Sequence, residues 1–273
     1  MRKPSVLLWL KGIVIGAAML LPGLSGGTTA ILLGIYDSMV SAVSSFRKAP
    51  KKNLIYLATV ALGGGVGILL FAKPLLFLTE QWEFPMTYLF MGAVLGGIPI
   101  LWREGGIQRF SLSCVLYPLL GAALVVTIGY LPQDLFQMDG TLAVVNILLL
   151  LAAGIVLAVA LVLPGISFSY LLLILGLYRP ALAAVESLNF GFLLPLGMGV
   201  LAGVLLTTRL LERCMARHPQ GTYLVILGFV IGSLKDVFPG VPAGWELLIC
   251  PLTLAAGFFG VFFATRRGGR ALS

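Results

Sequence analysis

The sequence predicts an all-α polytopic membrane protein built from two inverted repeats, each a broken, re-entrant helical hairpin followed by three transmembrane helices. Three observations carry that expectation. Of the 273 residues, 59% are hydrophobic and 10% charged, with a mean hydropathy of +1.06. A soluble chain would carry about a quarter charged residues. Apolar runs such as 142–163 and 195–208 suit bilayer spans of about 20 residues. Finally, Leu21-Pro22-Gly23-Leu24-Ser25-Gly26-Gly27-Thr28, leading to Leu33-Gly34-Ile35-Tyr36, returns 142 residues later as Leu163-Pro164-Gly165-Ile166-Ser167-Phe168-Ser169-Tyr170, leading to Leu175-Gly176-Leu177-Tyr178. A helix break repeated inside a membrane chain points to a binding site at the junction of two repeats.

Eight hydrophobic blocks follow one another: 6–45, 54–78, 86–102, 113–131, 142–186, 190–208, 222–238 and 245–265. The first and fifth are too long for one span and contain the breaks. If every block crossed once, the basic 47–52 and 103–109 loops would lie outside and acidic loops inside, against the positive-inside rule. If the two long blocks instead enter and leave on one side, fifteen of the eighteen Lys and Arg residues fall at the cytoplasmic face, leaving Lys73, Arg179 and Lys235 elsewhere. Both termini are then cytoplasmic. Each half makes an odd number of crossings, so residues 138–273 are inverted relative to residues 1–137. Gly92 and Gly96 align with Gly228 and Gly232, and Lys73 with Arg209, at an offset of 136. Residues 12–21 make only about 15 Å of helix, which favours a turn at half depth in the first repeat. The N-terminal Met1-Arg2-Lys3 and its apolar sequel read as a retained segment. Lys11 interrupts the core, and no small-residue cleavage site precedes Pro22.

The breaks have a chemistry. Pro22 and Gly23 end one short helix, and Ser25, Gly26, Gly27, Thr28 and Thr29 open the next. A helix start leaves N–H groups unpaired and favours negative charge. Hydroxyls add donors, and glycines let a ligand approach the backbone. Irregular backbone at membrane depth must be buried in protein or line a wet cavity. Two inverted tips meeting near the midplane suit an anion such as phosphate. The bland reading, Pro and Gly kinks and small residues serving helix packing, holds for the other glycines, including Gly63, Gly64, Gly65, Gly197, Gly199 and Gly203. Asp37 and Arg179 share one position in the two repeats, just after Tyr36 and Tyr178, and are expected to serve the site; Lys235 closes another block. The competing role for Arg179 is an ion pair with Asp37 or Glu186.

Other classes are excluded. Cys114, Cys214 and Cys250 have no pair spacing for a disulfide or a metal. The one His, His218, sits in a charged loop. No acid pair or nucleophile with its base lies in an apolar block, so neither an enzyme nor a cofactor is expected. The net charge of +8 reports basic cytoplasmic loops rather than nucleic acid. A homo-oligomer is compatible with the sequence.

The paired motifs LLPGLSGGTTAILLGIYD (20–37) and LVLPGISFSYLLLILGLYR (161–179), with FMGAVLGGIP (90–99) and LGFVIGSLKDVF (227–238), resemble the bacterial polyprenyl-phosphate transporter family over most of the chain. The resemblance implies a multi-pass protein of the bacterial plasma membrane. Its substrate would be undecaprenyl phosphate, the lipid carrier of cell-wall precursors, returned from the outer to the cytoplasmic leaflet. It carries over the positions Pro22, Gly23, Ser25, Gly26, Gly27, Pro164, Gly165, Ser167, Ser169, Tyr36, Tyr178 and Lys235. Two departures stand out. Phe168 replaces the glycine usual between the serines of the second motif, and Arg179 stands where an acid is more common. Both weigh against a symmetric two-tip site, and neither against an anionic substrate. The alternative reading is a transporter or channel for a small soluble anion.

Overall fold

The computed structural model describes residues 6–20, 25–107, 111–131, 143–166 and 168–270. Its first half runs α1 (Val6–Ala18), α2 (Gly26–Leu32), α3 (Tyr36–Ser44), a 3-10 turn (Phe46–Lys48), α4 (Pro50–Gln81), α5 (Glu83–Gly96), α6 (Ile98–Glu104) and α7 (Ser113–Ile128). The second runs α8 (Ala143–Val162), α9 (Phe168–Ile174), α10 (Tyr178–Glu186), α11 (Phe190–Arg217), α12 (Pro219–Val237) and α13 (Glu246–Arg270). The order long–short–short–long is the same in both halves. Among the described residues five helical stretches are long and apolar enough to cross a membrane: Pro50–Gln81, Glu83–Glu104, Val145–Val162, Phe190–Arg217 and Glu246–Phe263.

Local chemistry explains the boundaries. Pro50 and Pro219 open α4 and α12, where a missing N–H costs nothing. The repeated Leu-Gly-apolar-Tyr ends a helix twice. Gly34 and Gly176 take φ of +65° and +69°. The next residues close six-to-one bonds, Ile35 N–H to Ala30 O at 3.0 Å and Leu177 N–H to Leu172 O at 2.9 Å. This left-handed stop satisfies the last carbonyls of α2 and α9, and a side chain at either glycine would resist it. Each long block is therefore broken twice, once between its first two helices (α1 and α2, α8 and α9) and once here.

The block 86–102, expected as one helix, is interrupted. Pro99 has no N–H for the ladder, and α5 gives way to α6 at Gly97. Leu32 of α2 fills the space: a Cβ on Gly97 would lie 1.9 Å from its Cδ2.

Four helix pairs approach backbone to backbone through glycine, as small residues allow in membranes. A Cβ on Gly16 of α1 would lie 1.9 Å from Gly64 O of α4, and one on Gly199 of α11 2.3 Å from Leu151 O of α8. A Cβ on Gly92 of α5 would lie 2.0 Å from Leu254 O of α13, and one on Gly121 of α7 2.3 Å from Val225 O of α12. The first two pairs lie within a half. The last two cross between halves, so each half lends its final helix to the other. Gly63 and Gly203 also make close approaches, but Gly65 and Gly197 face open space. The packing role expected for those two is not found, since a Cβ at either would have nothing within 4 Å.

Candidate binding site at the hairpin junction

Ser25 caps α2. Its Oγ accepts from Thr28 N–H at 3.1 Å and lies 2.9 Å from Thr28 Oγ1, while Thr29 Oγ1 donates to Ser25 O at 3.2 Å. The same Oγ accepts from Gly165 N–H of the second hairpin at 3.4 Å. A Cβ on Gly27 would lie 3.3 Å from Pro164 Cα. The described parts of the two tips therefore touch. Thr28 and Thr29 are buried, while Ser25, Gly26 and Gly27 are half-buried and accessible. The cap satisfies one N–H of the first turn and leaves those of Gly26 and Gly27 without an acceptor among the described residues. Two free N–H groups beside two hydroxyls can receive an anion.

The second tip contributes differently. Pro164 is fully buried. Gly165 holds φ +85°, and a Cβ there would lie 2.5 Å from Phe229 C and O of α12. Its backbone is seated on α12, which frees its N–H to point at Ser25. Pro22, Gly23 and Ser167, and the side chain of Ser169, lie outside the described residues.

The other residues singled out in the sequence make contacts of their own or are exposed. The Tyr36 hydroxyl donates to Val162 O at 2.9 Å, tying α3 to the end of α8. Asp37 receives the Tyr223 hydroxyl, which lies 2.7 and 2.8 Å from its two oxygens. Ile31, Gly34, Tyr36, Asp37, Glu104 and Tyr223 line a small cleft of about 60 Å³ there. Asp37 is thus the partner of Tyr223 and not of Arg179. Tyr178 and Arg179 are exposed at the start of α10. The intervening α9, seven residues, makes about 10 Å of helix. Lys235 lies over the Tyr130 ring, Nζ 3.9 Å from its centroid. Lys11, which interrupts the N-terminal apolar run, donates to Leu33 O at 2.7 Å and so supports the end of α2. Tyr223 and Glu104 were invisible to motif reading: they stand 186 and 67 positions from Asp37, with nothing in the spacing to join them.

A family model described as undecaprenyl phosphate translocase-like matches residues 15–245. The chain belongs to this family. Two relatives named polyprenyl-phosphate transporter support the placement. The one from Vibrio cholerae is 29% identical over 245 residues, covering 85% of this chain and 77% of the relative. The one from Staphylococcus aureus is 31% identical over 243 residues, covering 85% and 86%. No solved structure matches. The family consists of transporters rather than enzymes, in agreement with the sequence, and its matched region runs from the end of α1 through the second broken block and includes the junction between the two tips.

Proposed function

We propose that this chain carries undecaprenyl phosphate across the bacterial plasma membrane, from the outer to the cytoplasmic leaflet, with the phosphate bound where the hairpins meet. The observation that carries the reading is the contact of Ser25 with Gly165, which sets two free N–H groups and two hydroxyls beside a cross-half seam. The polyprenyl tail would stay in lipid, since only the charged headgroup needs a path through the protein. The two halves are read as inverted, with both termini cytoplasmic, on the distribution of Lys and Arg.

A phosphate monoester carries about −1.5 to −2 charge near neutral pH, by analogy with phosphorylated side chains. Helix ends contribute about 0.3–1 kcal/mol each when exposed and up to about 2 when partly buried. A fixed cation is therefore needed on the route. Arg179, exposed and without an ion pair among the described residues, is assigned that role on the outer side, with Lys235 second. A guanidinium grips phosphate oxygens in a bidentate way that an ammonium does not.

The decisive experiment is binding by purified protein. Undecaprenyl phosphate is expected to bind and undecaprenol to bind at least tenfold more weakly. Equal affinity would remove headgroup recognition, and preference for inorganic phosphate over the lipid would favour a small-anion transporter. Arg179→Lys should weaken lipid binding moderately and Arg179→Gln severely, with undecaprenol unaffected. A folded Arg179→Gln protein that binds normally would take Arg179 off the route.

Orientation is checked separately. Lys51 and Ser187 occupy equivalent turns at an offset of 136, and both are exposed. Cysteines placed there should react with an impermeant thiol reagent from opposite sides of the membrane. Labelling from one side would rule out inversion.

A further inference from the structure

The two halves repeat in sequence but not in how their hairpins are seated. Tyr36 is 5% exposed and its equivalent Tyr178 37%; Val40 is 5% exposed and its equivalent Leu182 51%. Helix α3 buries Tyr36, Val40 and Ala42, whereas α10 buries Ala184 alone. The cause is a contact between halves. α3 lies along α11 of the opposite half, while α10 has no comparable seat on α4, the equivalent of α11. Three polar ties hold α3 in place. The Tyr36 hydroxyl donates to Val162 O of α8, the Tyr223 hydroxyl of α12 donates to Asp37, and Ser44 Oγ donates to Glu212 Oε2 of α11. At the equivalent positions the second tie would join Arg179 to Thr87 and the third Glu186 to Leu76. Neither pair can reproduce the original bond, and both Arg179 and Leu76 are exposed.

A chain with one fold written twice has two equivalent ways to arrange it. Interchanging the conformations of the halves would produce a second state of the same protein, and alternating access in repeat-built transporters gates one repeat against the other around a fixed site. We propose that α3 and α10 are a pair of gates, that this structure holds the α3 gate shut against α11 and α12 with the α10 gate open, and that transport requires α3 to leave its seat as α10 docks on α4 near Leu76. The proposal rests on the transport reading above and adds the moving parts to it. The difference in chemistry between the gates follows from their residues. The α3 gate is fastened by hydroxyl–carboxylate bonds, which need specific geometry. The α10 gate would close on apolar contact from Leu182 and Val185, both more than half exposed now, leaving Arg179 free for the headgroup.

Two cysteine pairs test it in Cys214→Ser protein, since Cys214 sits two residues from Glu212. Ser44→Cys with Glu212→Cys bridges the shut gate, and Glu186→Cys with Leu76→Cys bridges the open one. A thiol cross-linker cleavable by reductant is applied to proteoliposomes supplied with undecaprenyl phosphate. Both pairs are expected to cross-link, each with at least a tenfold loss of transport, and reduction should restore the rate. Unchanged transport with the first pair bridged would make the α3 seat a permanent scaffold. A second pair that never bridges in transporting protein would remove α10 as a gate. Tyr223→Phe provides a readout independent of these pairs. Ala42, fully buried in the seat, is replaced by cysteine, and Tyr223→Phe should raise its thiol reactivity several-fold; an unchanged rate would overturn the latch. If unmodified protein moves no polyprenyl phosphate at all, the transport reading fails, and not the gate geometry alone.

Discussion

Gly165→Ala is expected to be strongly destabilising, because strain and a backbone clash coincide at this position. The residue holds φ +85°, and the added Cβ would lie 2.5 Å from two backbone atoms of Phe229. The left-handed conformation costs an alanine about 1–2 kcal/mol. Displacing backbone in a filled interior adds about 1–3 kcal/mol. Neither atom of Phe229 can swing away as a side-chain tip could. Thermal unfolding of detergent-solubilised protein should show a loss of well over 5 °C, or no folded protein. Gly197→Ala is the control. It faces open space within α11, and alanine is the better helix former by about 1 kcal/mol. That variant should be at least as stable as the parent. Equal behaviour of the two would show that the tip is not seated on α12 as described.

Ser25→Val is expected to abolish transport while leaving most of the protein folded. It removes an acceptor shared by Thr28 N–H and Gly165 N–H, and a hydroxyl beside Thr28 Oγ1. Loss of an N-cap costs about 1 kcal/mol, which a chain packed through four glycine seams should survive. Gly26→Leu probes the same place by a different route. Its side chain would meet Met19 Sδ, at 3.1 Å from a Cβ, a flexible neighbour that can yield. The leucine then covers the free N–H groups at the tip. Carrier recycling in cells, measured beside protein level, separates the cases. Full recycling by well-expressed Gly26→Leu would move the headgroup site elsewhere.

Much of this could be read from the chain alone. Membrane class and broken blocks followed from hydropathy and from the matched Pro-Gly pairs, since both are local properties. The meeting of the tips followed from repetition, which implies equivalent placement. The break at Gly97 was missed because two adjacent glycines in an apolar run look like packing until Pro99 is given its due. The partners of Asp37 and Ser44 were missed for a different reason. A hydroxyl–carboxylate bond between α3 and α12 depends on how two halves dock, and no periodicity records that. Asp37 and Arg179 were expected to serve the site because they share a position in the repeat beside the motif, with an ion pair to Asp37 or Glu186 as the competing role for Arg179. Equivalent positions are related by symmetry, not brought into contact by it, and Asp37 spends its charge on Tyr223.

The exchange of final helices has a consequence for how such a chain came to exist and how it can be divided. α7 rests on α12 and α13 on α5, so a half made as a separate polypeptide would leave one of its helices without a berth and expose an empty groove of its own. Two copies of such a half would cure both defects at once by swapping arms. The arrangement is the one that two intertwined copies joined end to end would have, and a gene split between α7 and α8 should still yield two fragments that find each other in the membrane.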